Sequence, residues 1–276
     1  MSDPLNNKIK ISDSFSFFAD KLQKQIDSKF ADYQKKDGSQ FEEEPVDLEA
    51  FLYGDKYLHL TQKLSKPQFD LISNGTDILD KPAQYTEIVA MVGQFGGKDW
   101  CSSIIVARSI YLLLCLKSPQ QYFGLSWNSS IDIINVAPNS NLAREVFFSY
   151  LTRFIDNSKI FKELGSYENQ SGKMGVPYNK SQRIITFNKK NIRAVSGNSE
   201  DESWQGYSPI IIVLDEIDAF KSKDELNSDN RRPSKGADAI YTTARLLVQT
   251  RFPNVGKTIL LSWPRFYGSF IMQRHE

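Results

Sequence analysis

The chain has 276 residues, of which 40% are apolar and 24% charged, and a formal net charge of +1. That is the make-up of an ordinary soluble globular protein, long enough to bury roughly three quarters of its unfolded surface; it excludes a disordered, fibrous or strongly basic chain, so any nucleic-acid contact must come from local patches. The two cysteines, Cys101 and Cys115, fit neither a disulfide framework nor a zinc pattern and point to a reducing, cytosolic setting, and no apolar run is long enough to be a signal peptide or a membrane span.

Residues 1–11 are polar. From Asp13 to Lys36 apolar residues recur every three or four positions and predict an amphipathic helix ended by Gly38. The acidic stretch Glu42-Glu43-Glu44-Pro45 reads as a solvated hinge, and Asp47 as the cap of a short helix through Leu52. A second short helix runs from Leu64 to Ile72, with Ser65 as cap and Pro67 in its first turn. Its Gln68 precedes a glycine loop; a Gln so placed can read an adenine edge through its paired donor and acceptor, or can simply be an exposed helical side chain.

Ile88-Val89-Ala90-Met91 is a strand, and Val92-Gly93-Gln94-Phe95-Gly96-Gly97-Lys98-Asp99 follows it, ahead of a helix that starts near Trp100. Strand, glycine turn, Gly-Lys and helix make the plan of a phosphate-binding loop, whose backbone N–H groups and helix N-terminus hold polyphosphate. Against the usual G-x-x-x-x-G-K-[ST], Val92 replaces the first Gly and Asp99 the metal-reaching hydroxyl. Asp99 is therefore either a carboxylate ligand for Mg²⁺ or a cap that complements the helix dipole. A glycine turn between a strand and a helix would look the same.

Ser102 to Leu116 is a buried helix. Ile131 to Ala137 is a strand followed by a helix starting at Pro138–Asn141 and carrying Leu142, Val146, Phe147, Tyr150, Leu151 and Phe154, which is βαβ grammar and a parallel sheet. Residues 165–179 are a loop. Ile184–Phe187 and Ile192–Val195 form a hairpin with a basic tip, Asn188-Lys189-Lys190-Asn191, and a polar loop covers 196–208.

Ile210 to Leu214 is a continuous β-branched run ending in Asp215-Glu216. Two acids at the carboxyl end of a central parallel strand lie where open α/β sheets take ligands. Read functionally, Asp215 holds Mg²⁺ while Glu216, on the alternate face, polarises an attacking water; a strand exiting into an acidic turn is the plainer alternative. A charged loop with Arg231-Arg232 and Lys235 leads to a helix over 237–251. A strand over Lys257–Ser262 then runs into Trp263-Pro264, and a last helix begins at Gly268.

With the glycine loop, the Asp-Glu strand and the Ser-Trp-Pro strand in this order, the chain resembles the ATPase domain of the large terminase subunit of tailed bacteriophages over roughly residues 50–276. The resemblance implies an α/β fold of the P-loop ATPase (ASCE) type, a mostly parallel central sheet flanked by helices, with an N-terminal helical extension at 1–50 and the ATPase domain at 51–276. It implies Gln68, Gly93, Gln94, Phe95, Gly96, Gly97, Lys98, Asp99 and Trp100 as nucleotide-binding, Asp215 and Asp99 as Mg²⁺ ligands, and Glu216 with Lys98 as catalytic. Ser262 and Pro264 match the coupling motif. The family's basic residues within the loop and before the acidic strand are replaced by Gln94 and by Trp204-Gln205-Gly206, which leaves Arg193 or Arg183 as the charge-stabilising arginine.

The activity so implied is ATP hydrolysis driving double-stranded DNA into a procapsid in the host cytoplasm, with the portal protein and small terminase subunit as partners. The motor would be a ring on the portal and a monomer alone, and the family's nuclease domain is expected to lie outside this chain. Lys189, Lys190, Arg231, Arg232 and Lys235 are the candidate DNA-phosphate contacts. Two other readings stay open: a helicase-like nucleic-acid motor, and a nucleotide-regulated binding module without turnover.

Overall fold

The computed structural model describes residues 39–93, 96–138, 147–168, 171–199, 204, 206–220, 236–264 and 267–275. The expected helix at 13–36, the start of the helix after Pro138, and Gln94, Phe95, Arg231, Arg232 and Lys235 lie outside them.

The β-branched runs pair into a seven-stranded sheet of order β1-β7-β6-β2-β5-β4-β3. Its strands are β1 (Glu87–Met91), β2 (Ile131–Ala137), β3 (Asn179–Lys180), β4 (Ile184–Phe187), β5 (Ile192–Asn198), β6 (Pro209–Asp215) and β7 (Lys257–Ser262). From β1 across to β5 every pair is parallel, and β4 and β3 add an antiparallel edge. The strands β2, β6 and β7 are buried along their whole length, as the unbroken apolar runs require.

Side chains alternate between two apolar layers. Ile133, Val213 and Ile259 face a core shared with α1 (Leu48–Tyr53), α2 (Lys66–Gly75), α3 (Lys98–Cys115), α4 (Pro119–Tyr122), α5 (Ser149–Asn157) and α6 (Lys159–Gly165). Ile134, Ile212 and Leu260 face a second core with α7 (Ala237–Arg251) and α8 (Phe270–His275). The result is an α/β protein whose mostly parallel sheet is flanked by helices on both faces, of the P-loop ASCE type. The strand after the glycine loop's strand in space is β7, which separates β1 from the acidic strand β6.

The acidic connector is pinned rather than free. Phe41 bridges to Leu116, the Val46 amide donates to the Tyr111 hydroxyl at 2.9 Å, and Arg108 of α3 donates to the Val46 carbonyl at 2.5 Å. Buried backbone polar groups need such partners, and here α3 supplies them. The expected division at residue 50 falls inside α1, whose Phe51 and Leu52 are fully buried against α3 and its neighbours.

Candidate functional site

The site lies where β1, β6 and β7 end beside the first turn of α3. Val92 donates to the Ser262 carbonyl at 2.9 Å, so the glycine loop starts from the tip of β7. A turn then closes through Gly96 N–H to the Gly93 carbonyl at 3.0 Å. Glycine is required at Gly96, where a Cβ would collide with Val92, and at Gly97, whose φ of 76° is left-handed and caps α3. Among the described residues nothing lies within 4 Å of where a Cβ on Gly93 would be, and the loop leads into the amino end of an 18-residue helix, a place where backbone N–H groups can meet an anion.

Lys98 and Asp99 occupy the first turn of α3. The Lys98 ammonium lies 2.8 Å from Glu216 Oε1 and 3.6 Å from Asp99 Oδ2. Burial by itself would lower the lysine's pKa, but the hydrogen bond to Glu216 and the charges of Asp99 and Asp215 raise it above the usual value, so Lys98 is a fixed cation. Asp215, 5% exposed, has its carboxyl pushed well above the ordinary range, first by burial and then by the facing carboxylate of Asp99.

Two acids held together with one of them starved of solvent form a site that favours a cation. Among the described residues Asp215 Oδ1 and Glu216 Oε2 are buried without hydrogen-bond partners, and these oxygens fit a hard divalent ion. Among the described residues no group of three or more His, Cys, Asp or Glu gathers into a cage. Mg²⁺ does not need one, because it takes one or two carboxylates and completes its shell with water and phosphate oxygens.

The path of Glu216 to Lys98 differs from the expected one. Its side chain does not owe its direction to strand alternation: β6 ends at Asp215, and Glu216 takes a left-handed conformation, φ 55°, at the head of a 3-10 turn over Ile217–Ala219. A non-glycine residue there carries strain of about 1–3 kcal/mol, the kind retained at functional turns. That turn carries the Glu216 carboxylate to Lys98.

Gln68 is adjacent to the loop but occupied. Its Oε1 accepts from the Ser65 amide and hydroxyl, each at 3.0 Å, completing a capping box on α2, and its Nε2 donates to the Gly96 carbonyl at 3.2 Å. Here it is a clamp between α2 and the loop. Beside it, Pro67, Leu71, Ala90, Met91 and Cys101 wall a cavity of about 470 Å³ that reaches Lys98, a size and polarity suited to a flat heterocycle. The Trp100 ring turns away to Phe154, 6.5 Å between centroids.

The structure places four of the expected basic residues. Arg193 is not at the loop: it lies at the opposite end of the sheet, where it forks onto the fully buried Asp132 at 2.6 and 3.0 Å and donates to Ser130 at 2.6 Å. Lys190 is 7% exposed and holds Glu42 and the carbonyls of Leu114 and Leu116 within 2.5 to 2.6 Å, while Lys189 pairs with Glu42 at 2.6 Å. Lys190 stitches the connector to the carboxyl end of α3, where a cation suits the helix dipole, and Lys189 shares Glu42 with it. Arg183 lies at the start of β4, third across from the acidic strand, its carbonyl accepting from Ser196 N–H at 2.8 Å.

Ser262 stands between the loop and the acidic turn, its carbonyl holding Val92 and its hydroxyl accepting from the Asp218 amide at 3.4 Å. Pro264 is half-buried just beyond. Sequence reasoning missed Asp218. The signal was present: an acid two positions after Glu216, in a turn too short to point away.

A curated protein of Methanocaldococcus jannaschii, "Uncharacterized protein MJ0330", is 24% identical over 190 residues, covering 69% of this chain and 31% of its own length, so the chain spans about a third of that relative. The crystal structure of the HK97 bacteriophage large terminase superposes with a TM-score of 0.47 at 18% identity, covering 77% of this chain and 36% of the other. A family profile described as "Uncharacterized protein MJ0330, N-terminal P-loop domain" matches residues 11–276, and the chain belongs to that family.

Proposed function

We propose that this domain binds and hydrolyses Mg²⁺-ATP. The observation that carries the reading is the convergence of Lys98, Asp99, Asp215 and Glu216, drawn from two separate elements, on the open amino end of α3. The phosphates would lie against the Gly93–Gly97 backbone and the α3 N-terminus, with Lys98 on the β- and γ-oxygens. Asp215 and Asp99 would hold Mg²⁺, which when bound offsets phosphate charge in the transition state. Glu216, released from Lys98 by the arriving phosphate, orients the water. The base would enter the cavity between α2 and β1.

The work done with that energy is, on this proposal, translocation of double-stranded DNA in the manner of a large terminase, on a portal and with a small subunit, in a host cytoplasm. The order of glycine loop, Asp-Glu strand and Ser-Trp-Pro strand supports it. With Arg193 engaged at the far end of the sheet, the charge-stabilising arginine would be Arg183 or come from a second copy in a ring. DNA-stimulated ATPase activity that rises with protein concentration tests this; duplex unwinding would favour a helicase-like motor. ATP binding with no turnover, even with DNA and partners present, would leave a nucleotide-regulated binding module.

A further inference from the structure

We infer that Asp218 is a positioning residue that ties helix α8 to the state of the phosphate site; the inference rests on the nucleotide reading above. Helix α8 has six residues, too short to hold itself. Its natural cap would be Ser269, directly before Phe270, but the Ser269 hydroxyl is buried and makes no hydrogen bond among the described residues. The cap comes from another element: Asp218 Oδ1 accepts from the Ile271 amide at 2.9 Å. Ile271 is fully buried, and α8 packs on β1, β7 and the 3-10 turn.

Asp218 is fixed by its neighbours to the reacting groups. Its amide donates to the Ser262 hydroxyl at 3.4 Å, and Ser262 in turn holds the start of the glycine loop. Asp218 also follows Glu216 by two residues in a turn closed by Ala219 N–H to the Glu216 carbonyl at 2.7 Å. When phosphate takes Lys98, Glu216 loses its ion pair, and the left-handed strain at its φ of 55° gives it a second conformation to relax into. A rotation there carries Asp218 with it, because the turn is closed. The first amide contact of α8 is thus held by a residue that moves with the proposed catalytic acid. A two-state element biased at one end and read at the other is the physical requirement for coupling.

Hydrogen exchange at the amides of residues 270–275 in the full chain tests this, with Mg²⁺-AMP-PNP compared with Mg²⁺-ADP, both at saturation confirmed by calorimetry. The wild-type protein should show an exchange difference of about tenfold between the two states. Asp218→Ala should reduce that difference to less than about twofold, while AMP-PNP affinity stays within about threefold of wild type. Asp218→Asn, which keeps the accepting oxygen, should retain the difference. A purely structural cap predicts wild-type exchange that ignores the nucleotide, and that result, or a full difference in Asp218→Ala, overturns the inference. Absence of AMP-PNP binding overturns the nucleotide reading and this inference with it, whereas binding without an exchange difference overturns this inference alone.

Discussion

The Lys98 ammonium and the Glu216 carboxylate stand 2.8 Å apart, so the group that would hold phosphate and the group that would aim water neutralise each other before a ligand arrives. Nucleotide binding must break this pair. Glu216→Gln removes the competing charge while keeping the shape, so ATP should bind as tightly as in the wild type or more so. Turnover should fall by about 10²- to 10⁴-fold, the usual contribution of a positioned acid or base. Equilibrium binding and single-turnover hydrolysis on the same preparation separate the two effects, and unchanged turnover would remove Glu216 from its role.

Asp99 and Asp215 make a linked prediction about pH and metal. Burial, then the facing Asp99, hold the Asp215 carboxyl well above the ordinary range. For an acid so shifted, ionisation costs the folded state: the metal-free protein is favoured while Asp215 is protonated and loses that advantage as pH rises through the raised value. Mg²⁺ needs the ionised form, so its affinity should strengthen with rising pH and its binding should release protons. Asp99→Ser removes one carboxylate and should weaken Mg²⁺ by about tenfold while flattening the pH dependence. Melting temperature with and without Mg²⁺ across mildly acidic to mildly basic buffers measures both. Equal Mg²⁺ responses in variant and wild type would make Asp99 only a helix cap.

Gln68 allows its two roles to be separated. Gln68→Glu keeps an acceptor for the Ser65 amide and hydroxyl but cannot donate to the Gly96 carbonyl. Stability should hold while KM for ATP rises. Gln68→Ala loses the capping box as well and should cost about 1 kcal/mol of stability. Denaturation midpoints alongside KM for both variants decide whether the clamp on the loop matters.

Lys190 should behave as a stabilising residue and not as a DNA contact. Lys190→Met leaves the carbonyls of Leu114 and Leu116 and the Glu42 carboxylate short of a donor, at a cost of about 2 kcal/mol for charged hydrogen bonds of this kind. Any DNA affinity should keep its salt slope, since no phosphate contact is lost. A slope reduced by about one unit would restore Lys190 to the DNA surface.

What could be read from the sequence follows from which forces are local. The strands Ile131–Ala137 and Lys257–Ser262 and the helix Ala237–Arg251 fall where their apolar patterns place them, because burial on both faces and helical period are written in neighbouring residues. The cap at Asp47, which accepts from the Ala50 amide at 2.7 Å, was equally legible. Helices Pro119–Tyr122 and Lys159–Gly165 were not seen, being too short to show a period.

The misplaced residues all depend on distant partners. Arg193 is decided by Asp132 and Lys190 by Glu42, pairings made only when β5 and the connector are in place. The acidic pair at Asp215-Glu216 was visible in the chain, but its direction was not, since a left-handed residue after the strand reverses the expected alternation. The hydrogen bond from Gln68 to the Gly96 carbonyl likewise could not be read before the loop stood beside it.

The central claim is that Lys98 at the head of α3 is the phosphate-holding residue of a nucleotide site. Calorimetric titration of Mg²⁺-ATP into the wild type and Lys98→Ala tests it most directly. The account predicts saturable one-to-one binding by the wild type and affinity at least about a hundredfold weaker in the variant, as expected when a buried charged partner is removed. Equal binding by both proteins, or none by a folded wild type, would contradict it.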